Sequence, residues 1–145
     1  VRFGKNAAGE RPAVHWNDPM SHDPRYLEGI EHFNRCDFFE AHEVWEDLWK
    51  EYSGPSRLFY KGLIHVAVCL HHFGNGNIRG ARKLYHSSRG YLEPYAPFYE
   101  GLNVTKLLTE LEVCCREFLT SDEEYPQIEI IADLIPEIHL QDEAP

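Results

Sequence analysis

The segment from Ser56 to Phe73 constrains this chain most. Leu58, Phe59, Leu63, Ile64, Val66, Ala67, Val68 and Leu70 distribute apolar side chains around nearly every side of one helix. A helix without a polar face has to be enclosed by other elements. The pattern therefore predicts the central, most buried helix of its domain. Ser53-Gly54-Pro55 precedes it and Gly74-Asn75-Gly76-Asn77 follows as cap and turn.

The enclosing elements are also helical. Asp23-Pro24 combines a side-chain acceptor at the N-cap with proline at the first helical position, and Tyr26, Leu27, Ile30 and Phe33 then recur at helical spacing. A second helix is expected from Asp37 or Phe38 to Tyr52. A fourth runs from Ile78 to Leu92 and stops before Pro94 and Pro97. A fifth runs from Val104 to Leu119, with Leu107, Leu108, Leu111, Cys115 and Phe118 on one side. Short turns and the lack of strand runs predict an all-α, antiparallel up-and-down bundle of about five helices. Residues 1–23 read as an arm that His15-Trp16 pins to the body, residues 24–120 as the bundle. Residues 121–145 read as a tail, packed on the bundle or partly disordered. Within the tail, Ile128 to Ile135 between Pro126 and Pro136 fits either a short helix or an edge strand.

A chain of 145 residues suits one domain with one core. Its 14 Lys and Arg against 24 Asp and Glu leave a formal charge of -10, which opposes nucleic acid, whose binding requires phosphate neutralisation. No apolar run approaches the roughly 20 residues of a membrane span. The N-terminus has no apolar signal-peptide core. Cys36, Cys69, Cys114 and Cys115 form no CxxC spacing and no disulfide framework, so a cytoplasmic, reduced protein is expected. The only lysines are Lys5, Lys50, Lys61, Lys83 and Lys106, a balance suited to high salt, where self-repulsion is screened.

The densest polar segment is Phe38-Phe39-Glu40-Ala41-His42-Glu43-Val44-Trp45-Glu46-Asp47-Leu48-Trp49. At about 100° per residue, Glu46 lies about 40° to one side of His42 and Trp49 about 20° to the other. Phe38 and Trp45 fall on the Trp49 side. His42 and Glu46 thus edge an aromatic stripe that reads as core, and Glu46 is expected to turn inward while Glu40, Glu43 and Asp47 do not. A desolvated carboxylate needs a partner; the candidates are His42, Arg57 and a histidine of the third helix.

On that third helix His65, Cys69 and His72 share one stripe. His42, Glu46 and His65 are candidate ligands for zinc or a similar divalent metal, the alternative being a structural or substrate-orienting polar cluster. The run from His42 to Glu46 is not HExxH, because its fifth position is glutamate. No histidine has glutamate three residues before it, as a di-iron bundle needs. Neither a nucleophile elbow nor a P-loop occurs, and Gly74, Gly76 and Gly80 have the wrong spacing for a dinucleotide loop. Tyr91, Tyr95, Phe98 and Tyr99 either wall a pocket or plug the bundle end. Glu123-Glu124 and Asp142-Glu143 read as solvated charges.

The run Phe39-Glu40-Ala41-His42-Glu43-Val44-Trp45-Glu46-x-x-Trp49 resembles the signature of an all-helical domain-of-unknown-function family, numbered three-zero-nine. The likeness continues through Arg57, Gly62-Leu63-Ile64-His65-Val66-Ala67, Gly76-Asn77 and Gly80-Ala81. It implies a helical bundle and no established reaction. It also implies that His42, Glu43, Glu46, Trp49, Arg57 and Asn77 are the characteristic polar positions. His65 departs from the glutamine expected there.

Two functions follow. In the first, His42 and Glu46 are catalytic, as proton carrier and as base or anchor. Glu43, Trp49, Arg57 and Asn77 then bind a small molecule, with Arg57 holding an anionic group and His42, Glu46 and His65 holding a metal as a sub-case. In the second, the chain is a non-enzymatic helical module that pairs with itself or a partner, and Glu46, Arg57 and Asn77 form a buried polar lock on helix register.

Overall fold

The computed structural model describes residues 22–142; the arm and its His15-Trp16 pair lie outside the described residues. The five helices are α1 (Pro24–Asn34), α2 (Phe38–Glu51), α3 (Arg57–Gly74), α4 (Ile78–Leu92) and α5 (Val104–Leu119). α3 packs against both α2 and α4, α1 against α2, and α5 against α4. The fold is an all-α bundle. Phe59, Leu63, Val66, Ala67, Cys69 and Leu70 of α3 are fully buried, but the helix is not enclosed on every side as expected: Leu58 is 52% exposed and Val68 only partly buried.

Local chemistry sets the helix starts. Asp23 accepts from the Arg25 amide at 2.8 Å, Asn77 from Gly80 at 3.0 Å and Asn103 from Lys106 at 2.9 Å, each satisfying an amide that lacks an intrahelical partner. Close approach then sets the packing. A Cβ on Gly62 would stand 2.6 Å from Leu92 Cγ, so the glycine lets α3 and α4 nearly touch. The Trp45 indole donates to the Tyr26 carbonyl at 3.1 Å, joining α2 to α1. Arg82 donates to the carbonyls of Phe118 and Ser121 at the end of α5, and Arg89 to that of Leu108.

Between α4 and α5 the chain makes a turn of 3-10 helix (Glu93–Tyr95) and a small hairpin. Its strands, β1 (Phe98–Tyr99) and β2 (Leu102–Asn103), pair antiparallel with Tyr99 opposite Leu102. The strand pattern of the sequence did not predict this hairpin. Residues 128–135 are neither a regular helix nor a strand; only Ala132–Leu134 forms a 3-10 turn. Beyond them Ile138 is buried, and its amide and carbonyl both bond the Asn34 side chain at 2.8 Å. The four cysteines are free. Among the described residues no helix is long and apolar enough to cross a membrane.

Candidate functional site

The structure divides the expected cluster into separate parts. His42 and Glu46 do meet, with Nε2 to Oε2 at 3.1 Å, and the His42 Nδ1 lies 3.1 Å from the Phe39 carbonyl. Glu46 does not turn inward, however. Its side chain is 38% exposed, and its other oxygen is 3.4 Å from Lys50 Nζ. Phe38, Ala41, Trp45 and Leu48 take the inward positions of α2, so Glu46 sits on the shoulder and is satisfied one turn away on either side. Glu43 is exposed.

Arg57 has a different partner. Its guanidinium carbon lies 4.2 Å from the Trp49 ring centroid, and Lys61 Nζ lies at the same distance. Trp49 is only partly buried, unlike Trp45 in the same stripe, and its buried indole nitrogen has no acceptor among the described residues. This stack clasps α2 to α3 through cation–π attraction.

The stripe of His65, Cys69 and His72 faces α4. His65 Nδ1 is 2.6 Å from Ser87 Oγ, with its ring edge-on to Tyr91; Cys69 donates to the Ala81 carbonyl. His72 Nδ1 lies 3.2 Å from Asn77 Nδ2. Burial, and then the Lys61 charge, lowers the His65 pKa; burial, and then His71, lowers that of His72. His65 therefore does not join His42 and Glu46. Among the described residues no group of three or more His, Cys, Asp or Glu side chains is placed to hold a metal ion. Asn77 is the N-cap of α4.

A second constellation, which the sequence reading missed, surrounds a cavity of about 300 Å³. The cavity opens between the α2–α3 turn and the hairpin. Its walls include Tyr52, Pro55, Ser56, Phe98, Tyr99 and Glu100, with His22, Gln141 and Asp142 alongside. The Glu100 side chain is 9% exposed. Its Oε2 lies 3.3 Å from His22 Nδ1, and its Oε1 accepts from Ser56 Oγ at 3.4 Å. Tyr99 Oη is 2.7 Å from the same Ser56 oxygen, so tyrosine, serine and glutamate form one hydrogen-bonded relay. Burial, and then the Glu100 charge, raises the Tyr60 phenol pKa, and burial raises that of Tyr99.

Three ties hold Glu100 in place. Tyr26 Oη donates to its carbonyl at 2.9 Å, and Gln141 N donates to the Gly101 carbonyl at 2.8 Å. The third is the turn itself: Glu100 and Gly101, at φ 51° and 77°, are the central residues of a two-residue hairpin loop. Positive φ at both positions favours Asn-Gly or Gly-Gly, and a glutamate there carries backbone strain. Phe98 and Tyr99 wall this cavity, while Tyr95 and Tyr99 also pack edge-on against Phe59. The aromatic loop is both wall and plug. Asp142, expected to be merely solvated, stands at the cavity.

Residues 26–84 match the sequence profile described as Domain of unknown function (DUF309). The chain is similar to that family over this stretch. An uncharacterized protein of Aquifex aeolicus is 27% identical over 55% of this chain and 24% of its own length. The uncharacterized protein YpuF of Bacillus subtilis is 36% identical over 41% of this chain and 35% of its own. The matched regions thus cover about a quarter and about a third of these two relatives. The matched segment contains nearly all of α1, all of α2 and α3 and the first half of α4. It contributes Tyr52, Pro55 and Ser56 to the cavity, while the hairpin and tail supply the opposite wall.

Proposed function

We propose that this chain binds a small molecule in the cavity between the α2–α3 turn and the hairpin. The observation that carries the reading is Glu100: a carboxylate almost out of water, touching a hydroxyl and an imidazole but no lysine or arginine among the described residues. Isolating an ionised carboxylate from water costs several kcal/mol, and a concave, partly aromatic wall with a few convergent polar groups is how ligand sites are built. The strained turn at Glu100 supports the same reading, since strain of this kind collects at functional positions.

The α2 flank serves differently in this reading. Trp49, stacked with Arg57 and Lys61, clamps α2 to α3, while the partly exposed His42–Glu46 pair lies within α2. Glu46, Arg57 and Asn77, the expected register lock, have separate partners: His42 and Lys50, Trp49, and the Gly80 amide.

A fragment set at millimolar concentration, followed by amide NMR, tests the assignment. Shifts are expected at Ser56, Tyr99 and Gly101, and they should weaken in Ser56→Ala and Tyr99→Phe. Shifts centred on His42 and Trp49, or none in the protein, would overturn it.

A further inference from the structure

The cavity's chemistry also points to a ligand class. Two carboxylates, Glu100 and Asp142, stand at its wall, and among the described residues no lysine or arginine lines it. The aromatic side chains of Tyr52, Phe98 and Tyr99 supply the apolar lining. Aromatic faces attract cations through the ring quadrupole, and a desolvated carboxylate prefers a positive partner. At about 300 Å³ the cavity is at the small end of the range for small-molecule sites.

We propose that the ligand is a small organic cation, a protonated amine on an apolar or aromatic body. Its ammonium group sits against Glu100 and its body against Tyr52, Phe98 and Tyr99. The ammonium donates to the Glu100 carboxylate, whose present contacts are long, at 3.3 and 3.4 Å. Anionic ligands meet two carboxylates with no compensating lysine or arginine and are refused. Neutral ligands leave Glu100 with only its His22 and Ser56 contacts. This assignment rests on the cavity being the ligand site.

Three probes of matched shape separate the two questions: phenethylamine, 2-phenylethanol and phenylacetate, titrated into the unmodified chain by amide NMR and calorimetry near neutral pH. The expected result is saturable binding of the amine with shifts at Ser56, Tyr99 and Gly101. The alcohol and the acid should bind roughly tenfold or more weakly, the discrimination expected of a hydrogen bond to a charged group. Glu100→Gln should reduce the amine's affinity to that of the alcohol, with folding checked by circular dichroism. If the alcohol or the acid binds the cavity as tightly as the amine, the cation assignment is overturned while the cavity remains the site. If no probe perturbs the cavity residues, both readings fall. The comparison of charges needs no variant, so it stands even if Glu100→Gln does not fold.

Discussion

Gly29 on α1 leaves the space that the Trp45 indole of α2 fills: a methyl group on Gly29 would clash with the indole Nε1, Cδ1 and Cε2. The indole is fully buried and bonded to the Tyr26 carbonyl, so it has no room to move aside. Gly29→Ala gains up to about 1 kcal/mol of helix propensity but overpacks the α1–α2 seam, at about 1–3 kcal/mol or more. The expected net result is destabilisation. Gly90, an exposed helical glycine of α4 with open space around it, is the matched control; Gly90→Ala should stabilise by about 0.5–1 kcal/mol. Urea denaturation of both variants checks the pair, and equal effects would contradict the packing.

Glu100 links stability to function in the opposite sense. Asn adopts the left-handed conformation more readily than Glu, and Glu100→Asn also removes a desolvated carboxylate. Against this stand two long hydrogen bonds, to His22 and Ser56. The expected variant is more stable by about 1 kcal/mol and has lost amine binding. A gain in melting temperature together with lost binding is the pattern of a site maintained at the expense of stability. A large loss of stability would instead make Glu100 a structural residue.

Much of the bundle was legible in the sequence because its signals are local. The spans 78–92 and 104–119 fall where the prolines and apolar spacing placed them, and the structure adds Asn77 and Asn103 as their N-caps. The hairpin was not legible: two-residue strands carry no alternation, and Glu-Gly is not among the usual hairpin loop pairs. The cavity escaped for a different reason. His22, Ser56, Glu100 and Gln141 are far apart in sequence and meet only in the fold. The one local hint was the Tyr91–Tyr99 aromatic loop, where wall and plug were both open. At Glu46 the helical angle was sound, but an angle does not give depth. Lys50, one turn on, holds the carboxylate at the surface.

With the ligand site placed at the cavity, Asn77 and the His42–Glu46 pair are stability residues of different size. Asn77→Ala removes the Gly80 amide's acceptor and should cost about 1 kcal/mol. His42→Gln and Glu46→Gln break a pair whose side chains are 22% and 38% exposed, so each should cost only a few tenths of a kcal/mol, about the value of an i,i+4 surface pair. None of the three should alter amine binding. Loss of binding in either flank variant at unchanged stability would restore the α2 site.

His65 gives a pH dependence. Its pKa is lowered in the folded protein, chiefly by burial and then by Lys61, and its neutral ring contacts Ser87 and Tyr91. The unfolded chain therefore takes up a proton more readily. Stability is full above the ordinary histidine value of about 6.5 and is lost as pH falls toward the folded value. His72 acts in the same direction, beside His71 and Asn77. Denaturation midpoints should fall as the pH is lowered below about 6.5. The slope should be shallower in His65→Gln, and the His65 ring protons should titrate below the usual range. An unchanged slope in the variant would remove His65 as a contributor.

Salt should stabilise this chain. It carries a formal charge of -10, and many of its ion pairs are single-turn contacts on helix surfaces: His42–Glu46, Lys50–Glu46, Lys106–Glu110 and Arg116–Glu112. Such pairs contribute about 0–1 kcal/mol each, so little is lost when salt screens them. Repulsion among the excess carboxylates acts over longer distances and is screened more completely as the Debye length shrinks from about 10 Å at 0.1 M to about 3 Å at 1 M. The melting temperature is thus expected to climb with KCl across that range. Replacing exposed Glu123 and Glu124 with glutamine should make the climb shallower by lowering the net charge. If the melting temperature stays level or falls as KCl is added, local pairs outweigh the overall field, and the acidic balance has no part in stability.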